Sequence, residues 1–257
     1  MSESKSKSKT ELYEDRTFFG QYLDSTSEKD YFAVRLAEAA DPRSVHQILD
    51  LGSFDGSLTE KVVRQFQKRG FELAEVMAVE PALAPLESFR DRVTSEFFGL
   101  TWNFENTTME NYLLKPNGSH DLAIASHSLY WMGSDGAPVR AITWAAPKFA
   151  IVIRDTGVLH QLESKFRPMM TEKKKVFIST AEIETSLQEG EVDYSIQHFE
   201  ASMAVPPADT PAFKSLVGFL LDLQLNEIDE SLLARVFEEL NVTDGRAVYG
   251  VDIVWNL

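Results

Sequence analysis

Cysteine is absent from the 257-residue chain, which excludes disulfides, thiolate nucleophiles and cysteine-held metal clusters. The absence fits a reducing compartment. No apolar run approaches the ~20 residues that a membrane-spanning helix needs, and the opening "MSESKSKSKT" lacks the apolar core of a secretory signal. The expected location is the cytoplasm, with no membrane partner. Basic residues are scarce: 25 Lys and Arg face 40 Asp and Glu, a formal charge of −15. Such a surface repels a polyphosphate backbone, so the expected partner is a small molecule and not a nucleic acid, bound by a monomer or a homodimer. No Gly-x-Ser-x-Gly elbow occurs, which leaves a serine hydrolase without support. His46, His120, His160 and His198 are scattered, none pairs with an acid at metal-ligand spacing, and no metal is expected.

What is present is a globular composition, 44% hydrophobic and 25% charged. Residues 1–10 read as a solvated tail, and residues 11–257 as one domain. Helical periodicity runs from Thr10 to Ala40, with a restart at Ser25, Thr26 and Ser27 before Glu28. Short apolar runs then alternate with helical patterns: "VHQILDL", "EVMAVE", "LTWNFE", "DLAIAS" and "KFAIVIRDT". Strands alternating with helices imply parallel crossovers, so the expected fold is α/β, a doubly wound Rossmann-like sheet with its ligand at the carboxyl ends of the strands. Near the end, "DYSIQHFEASMAV" and "RAVYGVDIVW" read as a pair of strands interrupted by two helical patterns. The expected arrangement is an N-terminal helical cap (11–40) and a helical lid inserted at about 204–245.

The first strand runs into "GSFDGS", a turn with Gly52 and Gly56 where backbone must approach a ligand closely. Phe54 stands where a middle glycine is usual, so the turn is expected to avoid glycine-only conformations there, with the Phe54 ring outward or against the lid. Glu80 closes the second strand in "AVEP", where a carboxylate can accept both hydroxyls of a ribose. The turn carries Asp50 and Asp55 and no Lys or Arg before Lys61, a poor setting for a pyrophosphate and hence for a nicotinamide cofactor. A ligand with a ribose, an adenine and cationic groups suits it better. Thr107, Thr108 and Met109 in "ENTTMENY" fit the adenine, although Met109 reads equally well as core.

The series "ILDLGSFDG", "AVEP", "ENTTMENY" and "DLAIASHSLYWM" resembles the motifs of class I S-adenosylmethionine-dependent methyltransferases, a fold with a seven-stranded sheet. Over residues 11 to 257, with "YLDSTSEKDYF" and "SLYWM", the chain resembles the histamine N-methyltransferase family in particular. The resemblance implies that S-adenosylmethionine is the cofactor. It further implies that Gly52, Ser53 and Gly56 line its methionine end, that Glu80 and Pro81 border the ribose, that Thr108 and Met109 border the adenine, and that Ser126 lies near the sulfonium.

By the same resemblance, Glu28 falls at a glutamate that contacts the acceptor, and His127 falls where that family has a glutamine. A histidine can take a proton and a glutamine cannot, which argues against histamine as the acceptor and for His127 and Glu28 as the catalytic pair. Glu28 also reads as a carboxylate capping its own helix. Phe18, Phe19, Tyr22, Tyr130 and Trp131 can box a flat or cationic acceptor, the first three reading also as core. The expected activity is methylation of a small nitrogen nucleophile, an amine or amino acid. The alternatives are a cyclase or lyase, in which the methionine amine attacks within the cofactor and methylthioadenosine leaves, and a protein that binds without turnover.

Overall fold

The buried run of β1, Gln47–Leu51, sits inside the sheet, covered on both faces as an apolar parallel strand must be. The computed structural model describes residues 16–97, 99–116, 118–131, 136–169 and 178–257, the side chains of residues 16–19, 21, 131 and 169 excepted. The expected tail at 1–10 and the basic loop "TEKKKV" at 171–176 lie outside the described residues.

Beside β1 run β2 (Glu75–Val79) and then β3 (Thr101–Glu105), all parallel; on its other side run β4 (Leu122–Ser126) and β5 (Lys148–Arg154), also parallel. The two long strands β6 (Ser195–Ala204) and β7 (Arg246–Asn256) pair antiparallel, and β7 inserts antiparallel to β5. The seven-stranded order is β3-β2-β1-β4-β5-β7-β6. Chain direction around the sheet reverses between β1 and β4, the switch point at which doubly wound sheets open a crevice.

Helices α1 (Arg16–Ser25) and α2 (Glu28–Ala39) precede the sheet. Crossovers carry α3 (Ser57–Lys68), α4 (Leu83–Glu96), α5 (Met109–Leu114), α6 (Ala137–Ala145), α7 (Val158–Phe166) and α8 (Thr180–Glu189). The connection from β6 to β7 holds α9 (Pro211–Leu221) and α10 (Glu230–Glu239). Strand residues alternate between two apolar layers: Ile48 and Val76 join Phe66 and Phe89 on one face, while Leu49 and Met77 join Ile151 and Ile142 on the other. Thr210 caps α9 by accepting the Phe213 N–H, and Leu216, Val217, Leu220 and Leu221 bury its inner face. Among the described residues no helix is long and apolar enough to cross a membrane.

Candidate functional site

The turn after β1 is built from three left-handed residues, Gly52 (φ 80°), Phe54 (φ 49°) and Gly56 (φ 71°). Its amides are spent within the protein. The N–H groups of Gly52 and Ser53 donate to the Val79 carbonyl at 2.8 and 3.2 Å, that of Gly56 to the Ser53 carbonyl, and that of Ser57 to Asp55 Oδ1. A Cβ on Gly52 would stand 2.6 Å from that of Ser128, and one on Gly56 would enter the Phe89 ring. Phe54 departs from expectation: it does adopt the left-handed conformation, and its side chain lines the cavity above the turn. The reason is Glu80. Its Oε2 accepts the Phe54 N–H at 2.9 Å and its Oε1 accepts the Ala82 N–H at 2.9 Å, charge-assisted bonds that offset the roughly 1–2 kcal/mol cost of that backbone.

Above the carboxyl ends of the strands lies a cavity of about 370 Å³. Of the residues expected from sequence, Gly52, Ser53, Glu80, Pro81, Thr108, Met109, Ser126, Tyr22, Glu28, His127 and Tyr130 all line it. Gly56 does not; its place is against Phe89 beneath the head of α3, so its role is to let helix and sheet pack. The side chains of Phe19 and Trp131 lie outside the described residues. Sequence reasoning missed Lys29, Ser128, Arg154 and Phe219, which also line the cavity. It missed Tyr249 as well, whose hydroxyl bonds Glu28.

At one end of the cavity Glu28, buried on the first turn of α2, gathers a polar network. Its Oε2 accepts from Tyr249 at 3.0 Å and from Tyr22 at 3.3 Å, and its Oε1 bonds His127 Nε2. Ser27 holds the cap position of α2 and Thr26 Oγ1 accepts the Glu28 N–H, as the capping pattern predicts, while the Glu28 carboxylate lines the cavity. His127 follows β4 in a left-handed conformation (φ 53°), pinned by its N–H to the Val152 carbonyl. Its Nδ1 lies 2.9 Å from the Tyr130 hydroxyl, which accepts the Arg154 N–H at 2.6 Å. These bonds all close if Tyr130 donates to Nδ1 and Nε2–H donates to Glu28, the neutral tautomer assigned from the network. Burial pushes the Glu28 carboxyl up, but His127 and Tyr249 together hold it below its ordinary range. Burial pushes the Tyr22 and Tyr130 phenols up, so both stay protonated donors. Arg154 is buried and bonds Glu163 Oε1 at 2.7 Å; burial opposes its charge, but the surrounding tyrosines and Glu163 hold it ionised.

Nor is the turn as purely acidic as its local sequence. Lys29, next to Glu28 on α2, reaches across to donate to Ser57 Oγ. Asp50, buried at the end of β1, accepts from Thr59 Oγ1, and burial raises its carboxyl to about 6. Among the described residues no group of three or more His, Cys, Asp or Glu is placed to hold a metal ion.

No family model matches the chain, and no curated protein matches it. Solved structures do. The YcgJ protein from Bacillus subtilis is 12% identical over 88% of this chain and 96% of its own, with a TM-score of 0.60. Mycolic acid cyclopropane synthase CmaA1, complexed with SAH and CTAB, is 11% identical over 95% of each chain, with a TM-score of 0.60. Magnesium protoporphyrin IX methyltransferase from Synechocystis PCC 6803, with bound SAH, is 12% identical over 88% of this chain and 81% of its own, with a TM-score of 0.51. The chain has the Rossmann-like α/β fold of the class I S-adenosylmethionine-dependent methyltransferases.

Proposed function

We propose that the protein is a methyltransferase that uses S-adenosylmethionine to methylate a small nitrogen nucleophile, an amine or an amino acid. The observation that carries this reading is the pairing of buried Glu28 with half-buried His127, which shares one cavity with Glu80 and the glycine turn. The residues present fit the cofactor. Glu80 lines the cavity at the end of β2, where its carboxylate accepts the Phe54 and Ala82 amides and is held in place for a ribose diol. Gly52 lines the cavity, a side chain there would collide with Ser128, and the buried Ser53 and Ser128 hydroxyls have no partner among the described residues. Two of the structural neighbours hold SAH, which supports the same choice.

When bound, the cofactor supplies an electrophilic methyl group on a sulfonium. The chain supplies the rest. Glu28 binds the N–H of the acceptor and orients its lone pair, which does much of the work in an in-line displacement. The proton released is taken by Glu28 itself, beside His127, which its Nε2 bond to Glu28 Oε1 and its Nδ1 contact with Tyr130 hold in place. The rings of Tyr22, Phe54 and Phe219 give the cavity apolar walls for a flat or cationic acceptor. His127 in place of the glutamine of the histamine N-methyltransferase pattern favours an acceptor other than histamine.

Mass spectrometry of the purified protein with S-adenosylmethionine, alone and then with a pool of amines and amino acids, tests the reading. The expected products are S-adenosylhomocysteine and a methylated acceptor, both dependent on the pool. Methylthioadenosine formed from the cofactor alone would overturn it in favour of the cyclase or lyase.

A further inference from the structure

We infer that Lys29 anchors the carboxylate of the cofactor's methionine portion, making the turn end of the cavity a site for one carboxylate and not for a phosphate. The inference rests on the S-adenosylmethionine reading and assigns a group to it that the motifs do not contain.

Three observations converge. The first is position: Glu28 and Lys29 are neighbours on the first turn of α2, yet successive helical side chains diverge by about 100°. Glu28 therefore points to the end of β4 while Lys29 reaches the head of α3, where it bonds Ser57 Oγ and lines the cavity. The ligand's other parts are allotted to Glu80, Thr108, Met109 and Ser126 at the ends of β2, β3 and β4. The head of α3 is what remains for the amino-acid tail.

The second is charge. Lys29 is half-buried, and desolvation holds its ammonium below the ordinary range despite the fields of Asp55, Glu28 and Asp24, with Asp50 also near it. Among the described residues it forms no ion pair; its bonded partner is a neutral hydroxyl. With one of its three donors on Ser57, the ammonium lines the cavity and can donate to a ligand anion there.

The third is what the turn cannot do. The amides of Gly52, Ser53, Phe54, Gly56 and Ser57 all donate to protein acceptors, so they form no cradle for a phosphate. A single ammonium bonded to Ser57 suits a monoanion.

Equilibrium binding by calorimetry, with S-adenosylmethionine and its decarboxylated analogue, tests this on the full chain. The wild type should bind the carboxylate-bearing ligand about 10- to 100-fold more tightly, and Lys29→Met should abolish that preference while leaving the analogue's affinity within about 3-fold. Lys29→Arg should retain part of the preference. Equal weakening of both ligands in Lys29→Met, or an undiminished preference, would overturn the assignment. If the wild type binds neither ligand, the S-adenosylmethionine reading itself fails, a result distinct from either.

Discussion

Single residues divide the cavity's labour by environment. Asp50 and Glu28 are both buried carboxyls, but Glu28 accepts two phenols and an imidazole while Asp50 accepts one hydroxyl. Burial therefore wins at Asp50, raised from 3.8 to about 6, and loses at Glu28. A carboxyl with a raised folded value binds its proton more tightly in the native state. Its contribution is full below its unfolded value and is lost as pH rises from about 4 to about 6, by about 3 kcal/mol. Asp50→Asn removes that titration, so urea denaturation should show the variant gaining about 2–3 kcal/mol on the wild type between pH 4 and 7. A constant difference across that range would mean that Asp50 stays ionised. Glu28 and His127 answer to a kinetic measurement. Glu28→Gln and His127→Gln should each lower kcat about 100-fold, with SAH affinity unchanged in both. Activity equal to wild type in Glu28→Gln would remove that carboxylate from the chemistry.

At the scale of elements, the cavity is closed from the side by α9 against α1. The Phe219 ring lies 4.8 Å from that of Tyr22, and the Arg154 guanidinium lies 5.7 Å from Phe219. Phe219→Ala opens the acceptor end without touching Glu80, Thr108 or Met109. The expected result is an acceptor KM raised about 10-fold with SAH affinity preserved; a matching loss of SAH affinity would place Phe219 on the cofactor instead. The sheet was legible because its parallel strands are short apolar runs and β6 and β7 alternate, patterns that burial on two faces or on one imposes. The glycine turn, Glu80 and the β4 end were legible because a doubly wound fold puts such positions at one crevice. Tyr249 and Arg154 were not: each sits in a strand whose pattern is explained by packing alone, and only the sheet order brings β7 beside β5. Lys29 was hidden by distance, since the turn it serves lies across a helix and a strand in sequence. Phe54 was misread because the carboxylate that stabilises its backbone comes from the next strand.

Across the whole molecule, the cavity is shared by separate parts of the chain: α1 and α2, the strand ends and α9 each present side chains to it. A ligand bridging them binds the folded state and has no counterpart site in the unfolded chain, so it must raise the unfolding temperature. At a concentration of 100 Kd the stabilisation is about 2.7 kcal/mol. For a domain of this size, each kcal/mol corresponds to about 2–4 °C, so saturating SAH should raise Tm by about 5–10 °C. S-adenosylmethionine carries one more positive charge than SAH, and the protein's formal charge is −15. Its shift should therefore fall more steeply with salt, because added ions screen the long-range attraction that the cation alone enjoys. A nicotinamide dinucleotide should give no shift, since five of the turn's amides already have acceptors and the surrounding field repels its phosphates. A shift with the dinucleotide and none with SAH would detach this chain's chemistry from that of the fold it shares.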